Sequence, residues 1–244
     1  MAHLAHYREA HPLPMRITHW INLSCMVLLI FSGFLIHFPF WAALTGVARG
    51  VHVFCGLVLL FNCIVRYVLA FLVTSAPTGG TRNRVRDYKT WMPQDDNKHQ
   101  LIPWIKYYLF MKKDHPLSAK LGVPQKISYF AVGILILIMA YTGLCLWVPT
   151  SEWTFFAAGT AFVGGAMSMR IIHYFMMFVF IIFTMLHGYL VFIEGTANAN
   201  LMFFGKEHGG LVYDPNRHVI VGEDHSVDPV SYTHLRAHET LANL

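Results

Sequence analysis

The chain has 244 residues, of which 55% are hydrophobic and only 13% are Asp, Glu, Lys or Arg, about half the charged share of an ordinary soluble domain. With 15% aromatic residues and a positive mean hydropathy, it holds more apolar material than one water-soluble core can hide, which argues against a soluble enzyme. Eighteen basic against thirteen acidic residues leave a formal charge of +5, and in so apolar a chain a basic excess follows membrane topology rather than a nucleic-acid partner.

Four apolar runs, residues 17–38, 51–73, 127–148 and 171–193, are each about 22 residues long and so reach about 33 Å as helices, enough to cross a hydrocarbon core of about 30 Å. They predict an all-α, integral membrane four-helix bundle. The first run has no cleavage-site pattern after it and leads through a short loop into the next span, so it is expected to stay as the first helix rather than be removed as a signal peptide.

The connection 74–126 carries ten basic residues (Arg82, Arg84, Arg86, Lys89, Lys98, Lys106, Lys112, Lys113, Lys120 and Lys126) against four acidic ones (Asp87, Asp95, Asp96 and Asp114). The positive-inside rule places it in the cytoplasm, and an even number of spans then places both termini there. Within it, Leu-Ile-Pro-Trp-Ile-Lys-Tyr-Tyr-Leu-Phe-Met-Lys-Lys at 101–113 fits a short helix lying on the membrane surface or a solvated loop. The opposite connections, 39–50 and 149–169, contain Trp41, Trp153, Phe155 and Phe156, rings suited to a headgroup boundary or a partner subunit.

Residues 11–195 thus form the four-helix domain, 196–230 a polar cytoplasmic tail, and 231–244 a stretch unrelated to the rest that reads as a non-native tail. His234 and His238 in that stretch are left out of the functional reading. Cys25, Cys55, Cys63 and Cys145 all lie inside apolar runs without a C-x-x-C or C-x-x-C-H pattern, which disfavours covalent haem, iron–sulfur and zinc ligation and makes them small packing residues.

Ionisable groups inside a bilayer are costly, so His19, His37, His52, His173 and His187 carry the functional argument. His173 and His187 are 14 residues apart, close to four helical turns, so both rings leave nearly one face at depths about 21 Å apart. The alternating directions of the spans put His19 at the cytoplasmic level of His187 and His52 at the outer level of His173. Four imidazoles in two pairs are what two six-coordinate haems require. His37 lies 18 residues beyond His19 on the same face and competes with His52 for the outer level, although its place beside Phe38 and Pro39 also suits an interfacial role.

Arg16 and Arg170 precede His19 and His173 by three residues, where they can pair with haem propionates. Arg66, 14 residues beyond His52, falls at the inner level and either does the same or snorkels to the surface. Gly33, 14 beyond His19, and Gly56, four beyond His52, would let a porphyrin approach the backbone, and both also suit helix packing.

Arg16-Ile17-Thr18-His19-Trp20-Ile21 with Ser32-Gly33, and Arg170-Ile171-Ile172-His173 with His187-Gly188-Tyr189, resemble the first- and fourth-helix signatures of the prokaryotic cytochrome b561-like subunits of membrane-bound nickel–iron hydrogenases, over about residues 11 to 195. Formate dehydrogenase gamma subunits and the cytochrome subunits of thiosulfate or polysulfide reductase share the layout. The resemblance implies two b haems, held by His19 with His187 and by His52 with His173, and electron exchange between an outer-face catalytic complex and the quinone pool. It further implies a bacterial inner-membrane location and an iron–sulfur small subunit as partner. One departure concerns the quinone, menaquinone or ubiquinone. Relatives carry an Asn-containing segment ending in Gln-Lys before the third helix, and here Lys120-Leu121-Gly122-Val123-Pro124-Gln125-Lys126 keeps the Gln-Lys without the Asn.

The expected role is therefore a membrane electron conduit, a subunit of an oxidoreductase rather than a stand-alone enzyme, with Asp114, His115 and Gln125 as candidate quinone or proton contacts. Two rivals remain: a haem-free transporter or scaffold with proton-relaying histidines, and a self-sufficient ferric reductase, which the absence of a nucleotide-binding glycine motif disfavours.

Overall fold

The computed structural model describes residues 3–4, 11–75, 84–93, 99–113, 115–116, 121–193, 197–204, 210–214 and 219–224. Asp95, Asp96, Asp114, Arg82, Lys98, Lys120 and the whole of 231–244 lie outside them. Four helices are long and apolar enough to cross a membrane: α1 (Leu13–His37), α2 (Thr45–Leu72), α5 (Val123–Leu146) and α8 (Ala166–Ile193). Shorter helices are α3 (Asp87–Trp91), α4 (Leu101–Tyr108), α6 (Val148–Ser151), α7 (Thr154–Phe162) and α9 (Ala197–Phe204). The class is all-α, a membrane bundle of four spans, with short strands added.

The chain divides into two units, one of Ile17–Val68 with Phe130–Glu194 and one of Met1–Arg16, Leu69–Tyr129 and Gly195–Leu244. The first unit is the membrane bundle. Cys25, Cys55, Leu59, Cys63, Ile136 and Phe180 form its buried cluster, so three of the four cysteines serve as small packing residues, and Cys145 is buried too. Phe31, Phe54, Phe61, Phe175, Met185 and Phe192 are exposed along the same helices, the apolar surface that lipid covers.

Each span begins ahead of its apolar run and ends within it, and the chain supplies start and stop signals at several of these ends. Pro14 stands in the first turn of α1, where its missing N–H would have no helical partner, and Pro39 stops the helix two residues past His37. Before α8, Gly164 and Gly165 adopt φ of +89° and +110°. Their amides bond Ala161 and Thr160 at 3.0 and 2.8 Å, the paired return bonds of a Schellman close on α7. Only glycine adopts such dihedrals freely, so this pair fixes where α8 begins and hence the height of His173.

In the second unit, β2 (Thr74–Ser75) pairs with β3 (Val85–Arg86). Asp87 behind them is fully buried, its carboxylate accepting from Ser75 Oγ at 2.9 Å and Trp91 Nε1 at 3.2 Å. The stretch 101–113 is helical only to Tyr108. Phe110 turns left-handed with φ +58°, and Trp104 is buried while Ile102, Ile105 and Lys106 are exposed. A Cβ on Gly122 would lie 2.7 Å from the Trp104 ring, so the residue ahead of α5 must be small.

Within the stretch expected as a polar tail lie α9 and two strands, β5 (Gly210–Asp214) and β6 (Val219–Asp224). With β1 (His3–Leu4) and β4 (His115–Pro116) they form an antiparallel sheet in the order β1-β5-β6-β4. Leu211-Val212-Tyr213 and Val219-Ile220-Val221 have the residue types of strands, and Asp214-Pro215-Asn216 between them has those of a turn.

Candidate cofactor site

Helix α8 carries two of the four histidines. It runs unbroken from Ala166 to Ile193, so His173 and His187 leave nearly one face about 21 Å apart along the axis. Each meets one ring from another helix. His187 and His19 of α1 have ring centroids 6.2 Å apart with planes at 51°, and His173 and His52 of α2 stand 6.1 Å apart at 67°.

Those spacings are too long for a direct hydrogen bond and the planes too inclined for a stack, which leaves an edge-on ring contact or a metal ion between the rings. A hydrogen bond between two ring nitrogens would bring the centroids to about 5 Å, and the stacked rings of His37 and Tyr174 lie at 4.0 Å. Two imidazoles bonded to opposite sides of one metal ion, through bonds of about 2.0 Å with each ring centre about 1.1 Å further out, stand about 6.2 Å apart. Both pairs have that separation. Among the described residues no three His, Cys, Asp or Glu side chains converge. A metal ion between either pair would therefore draw its remaining donors from outside the protein, as haem iron does from its porphyrin.

The His52–His173 pair is braced from the neighbouring helices. His52 Nδ1 lies 2.9 Å from Ser32 Oγ of α1, and His173 Nδ1 lies 2.8 Å from Thr142 Oγ1 of α5. The residue after each hydroxyl is glycine. A Cβ on Gly33 would lie 3.4 Å from His52 Cε1, and one on Gly143 would lie 3.3 Å from His173 Cε1. Each ring thus rests on a hydroxyl and a bare backbone.

The His19–His187 pair is held differently. Asn62 of α2 is buried and donates to the Thr18 carbonyl at 2.7 Å and to Asn22 Oδ1 at 2.6 Å, tying α1 to α2 on either side of His19. Arg66, one turn further along α2, is within electrostatic reach of His19. His187 stacks on Phe183 at 6.0 Å and 10°. His19 Nδ1 is buried and has no hydrogen-bond partner among the described residues. Such an atom costs about 1 to 3 kcal/mol, so this ring lacks the hydroxyl brace that His52 and His173 have.

The other candidates fall elsewhere. Gly56 meets only a Leu29 methyl at 3.9 Å, an ordinary packing contact. Arg16 donates through Nε to the Met202 carbonyl at 3.3 Å, and Arg170 is exposed. His37 stacks on Tyr174 at the end of α1, while the ring opposite His173 is His52. Gln125 accepts from the Gly122 amide at 2.8 Å and so caps α5, and Lys126, also buried, donates to the Met92 carbonyl at 2.7 Å. His115 lies in β4, its backbone paired with Ile220. Thr142, Gly143, Asn22 and Asn62 went unnoticed in the sequence. The only available signals were a Thr-Gly step echoing Ser32-Gly33 and two asparagines inside apolar spans.

The profile of the prokaryotic cytochrome b561 family matches residues 10–205. The chain is also 25% identical over 147 residues to a protein named formate dehydrogenase, cytochrome b556 subunit, from Haemophilus influenzae. That match covers 56% of this chain and 53% of the relative, so the chain spans about half the length of the curated relative it matches.

Proposed function

From the premise that the chain belongs to the prokaryotic cytochrome b561 family, we propose that it is the membrane subunit that passes electrons between an outer-face oxidoreductase and the quinone pool. One observation carries the reading: two imidazole pairs, 6.2 and 6.1 Å between ring centres, set two levels apart on a single helix. His19 with His187 and His52 with His173 would hold two b haems. Bound haem supplies one-electron redox chemistry at each level.

The chain's own residues do the rest. The four helices fix the height and facing of each ring, and the buried cluster of Cys25, Cys55, Leu59, Cys63, Ile136 and Phe180 keeps water from the interior between the two levels. Arg66, within electrostatic reach of His19, would pair with a propionate at the inner level. The basic connection 74–126 puts itself and both termini in the cytoplasm of a bacterial inner membrane, so the His19–His187 pair faces inward and His52–His173 outward. The outward level then suits the iron–sulfur subunit of a nickel–iron hydrogenase, and the inward level suits a quinone. A formate dehydrogenase as the catalytic partner is the second reading, supported by the relative from Haemophilus influenzae.

A direct test uses membrane vesicles containing the chain, to which a reduced quinone analogue is added. The appearance of b-type absorbance, diminished in His187→Ala, supports the proposal. Wild-type vesicles with no quinol-reducible absorbance overturn it.

A further inference from the structure

We propose that Ser32 and Thr142 are positioning residues for the His52–His173 pair, one hydroxyl per imidazole, and that they fix the ring tautomer and favour the oxidised state of the metal held there. The inference rests on the reading that this pair ligates haem iron.

A hydroxyl has a single hydrogen to give. Ser32 Oγ lies 2.7 Å from the Leu28 carbonyl and 3.2 Å from that of Leu29. Thr142 Oγ1 lies 3.0 and 3.1 Å from the carbonyls of Ile138 and Met139. Each hydrogen is therefore committed to its own helix, the back-bonding habit of Ser and Thr in apolar helices. Both residues are buried, at 6% and 4% exposure, so water does not compete for the oxygen. What each oxygen offers the neighbouring Nδ1, at 2.9 and 2.8 Å, is a lone pair. Nδ1 must then carry the ring hydrogen, which leaves Nε2 as the nitrogen with a free pair.

The device occurs twice in unrelated surroundings. Ser32-Gly33 on α1 seats the histidine of α2, and Thr142-Gly143 on α5 seats that of α8. No such hydroxyl is described at His19, whose Nδ1 has no hydrogen-bond partner among the described residues. An acceptor on the far nitrogen makes a ligating imidazole more basic, which favours the more highly charged, oxidised metal. The two levels are therefore built with different ligand basicity.

The test is a redox titration of the purified full chain with haem bound, carried out on Thr142→Val, which keeps the shape and loses the hydroxyl, on Ser32→Ala, and on Thr142→Ser. The haem to follow is the one lost in His173→Ala. In Thr142→Val its oxidised-to-reduced ratio at fixed potential is expected to fall about threefold, a midpoint rise of about 30 mV at 59 mV per tenfold. Ser32→Ala is expected to shift it the same way. Thr142→Ser should restore the wild-type midpoint, and the other haem should not move. If Thr142→Val does not accumulate, Ser32→Ala reads the same haem through the opposite ring. Two haems with unmoved midpoints in both variants overturn the inference and leave the di-haem reading standing. A wild-type chain without haem overturns both.

Discussion

Enlarging Gly143 perturbs one histidine level and spares the other. An added Cβ would lie 3.3 Å from His173 Cε1, tighter than an ordinary carbon contact, so Gly143→Ala requires the ring to give by a few tenths of an ångström. That shift is small enough to retain both haems, with a changed absorbance or midpoint for the one that His173 ligates. Gly143→Leu drives further carbons into the space of the ring, and overpacking of this kind costs about 1 to 3 kcal/mol when the neighbour cannot retreat. His173 has an exit only by turning away from His52, so one ligand is lost and haem content should fall from two per chain toward one. Gly56→Ala is the control, because its Cβ would meet only the Leu29 methyl at 3.9 Å, and both haems should survive it. Haem per polypeptide, measured by the pyridine haemochrome absorbance of purified protein, reads all three variants. Full retention of two haems in Gly143→Leu would refute the placement of His173 against the α5 backbone.

Other changes have equally specific outcomes. His52→Ala should remove the outer-level haem while His37→Ala leaves both, and the reverse pattern would mean that the wrong residue of the two has been assigned; difference spectra decide it. Asn62→Leu removes the bonds to the Thr18 carbonyl and Asn22, which should cost about 1 to 2 kcal/mol and lower the temperature at which haem absorbance is lost on heating. In Gly133→Ala a Cβ would fall 1.8 Å from the Tyr67 hydroxyl and 2.8 Å from Cζ. That variant should be strongly destabilised and only partly rescued by Tyr67→Phe, which removes the first clash and keeps the second, as thermal scans of the single and double variants would show.

Much of the bundle was legible because its signals are local or periodic. Four runs of about 22 apolar residues specify four spans, and a spacing of 14 on one helix specifies two levels whatever the neighbouring helices do. Helix ends were less legible: Pro14 and the Gly164-Gly165 close lengthen or begin spans at residues that hydropathy does not count. The hydroxyl seats were hidden for a different reason. Thr142 reads in sequence as a tolerated polar residue in an apolar helix, and its role appears only when His173, 31 residues away, is placed beside it. Asn22 and Asn62 are likewise 40 residues apart. His37 shares a face with His19 by angular count, and only the placement of Tyr174 shows where its ring goes. Strand β4 was invisible because its partner, β6, lies about a hundred residues further along the chain.

The central claim, two metal-bearing macrocycles each clamped by one imidazole pair, is tested most directly by counting haem in purified wild type and in the four single variants His19→Ala, His52→Ala, His173→Ala and His187→Ala. Two b-type haems per wild-type chain are expected, with His19→Ala and His187→Ala losing one and the same haem and His52→Ala and His173→Ala losing the other. Wild-type protein without haem, or losses that group the four histidines in any other way, would contradict it.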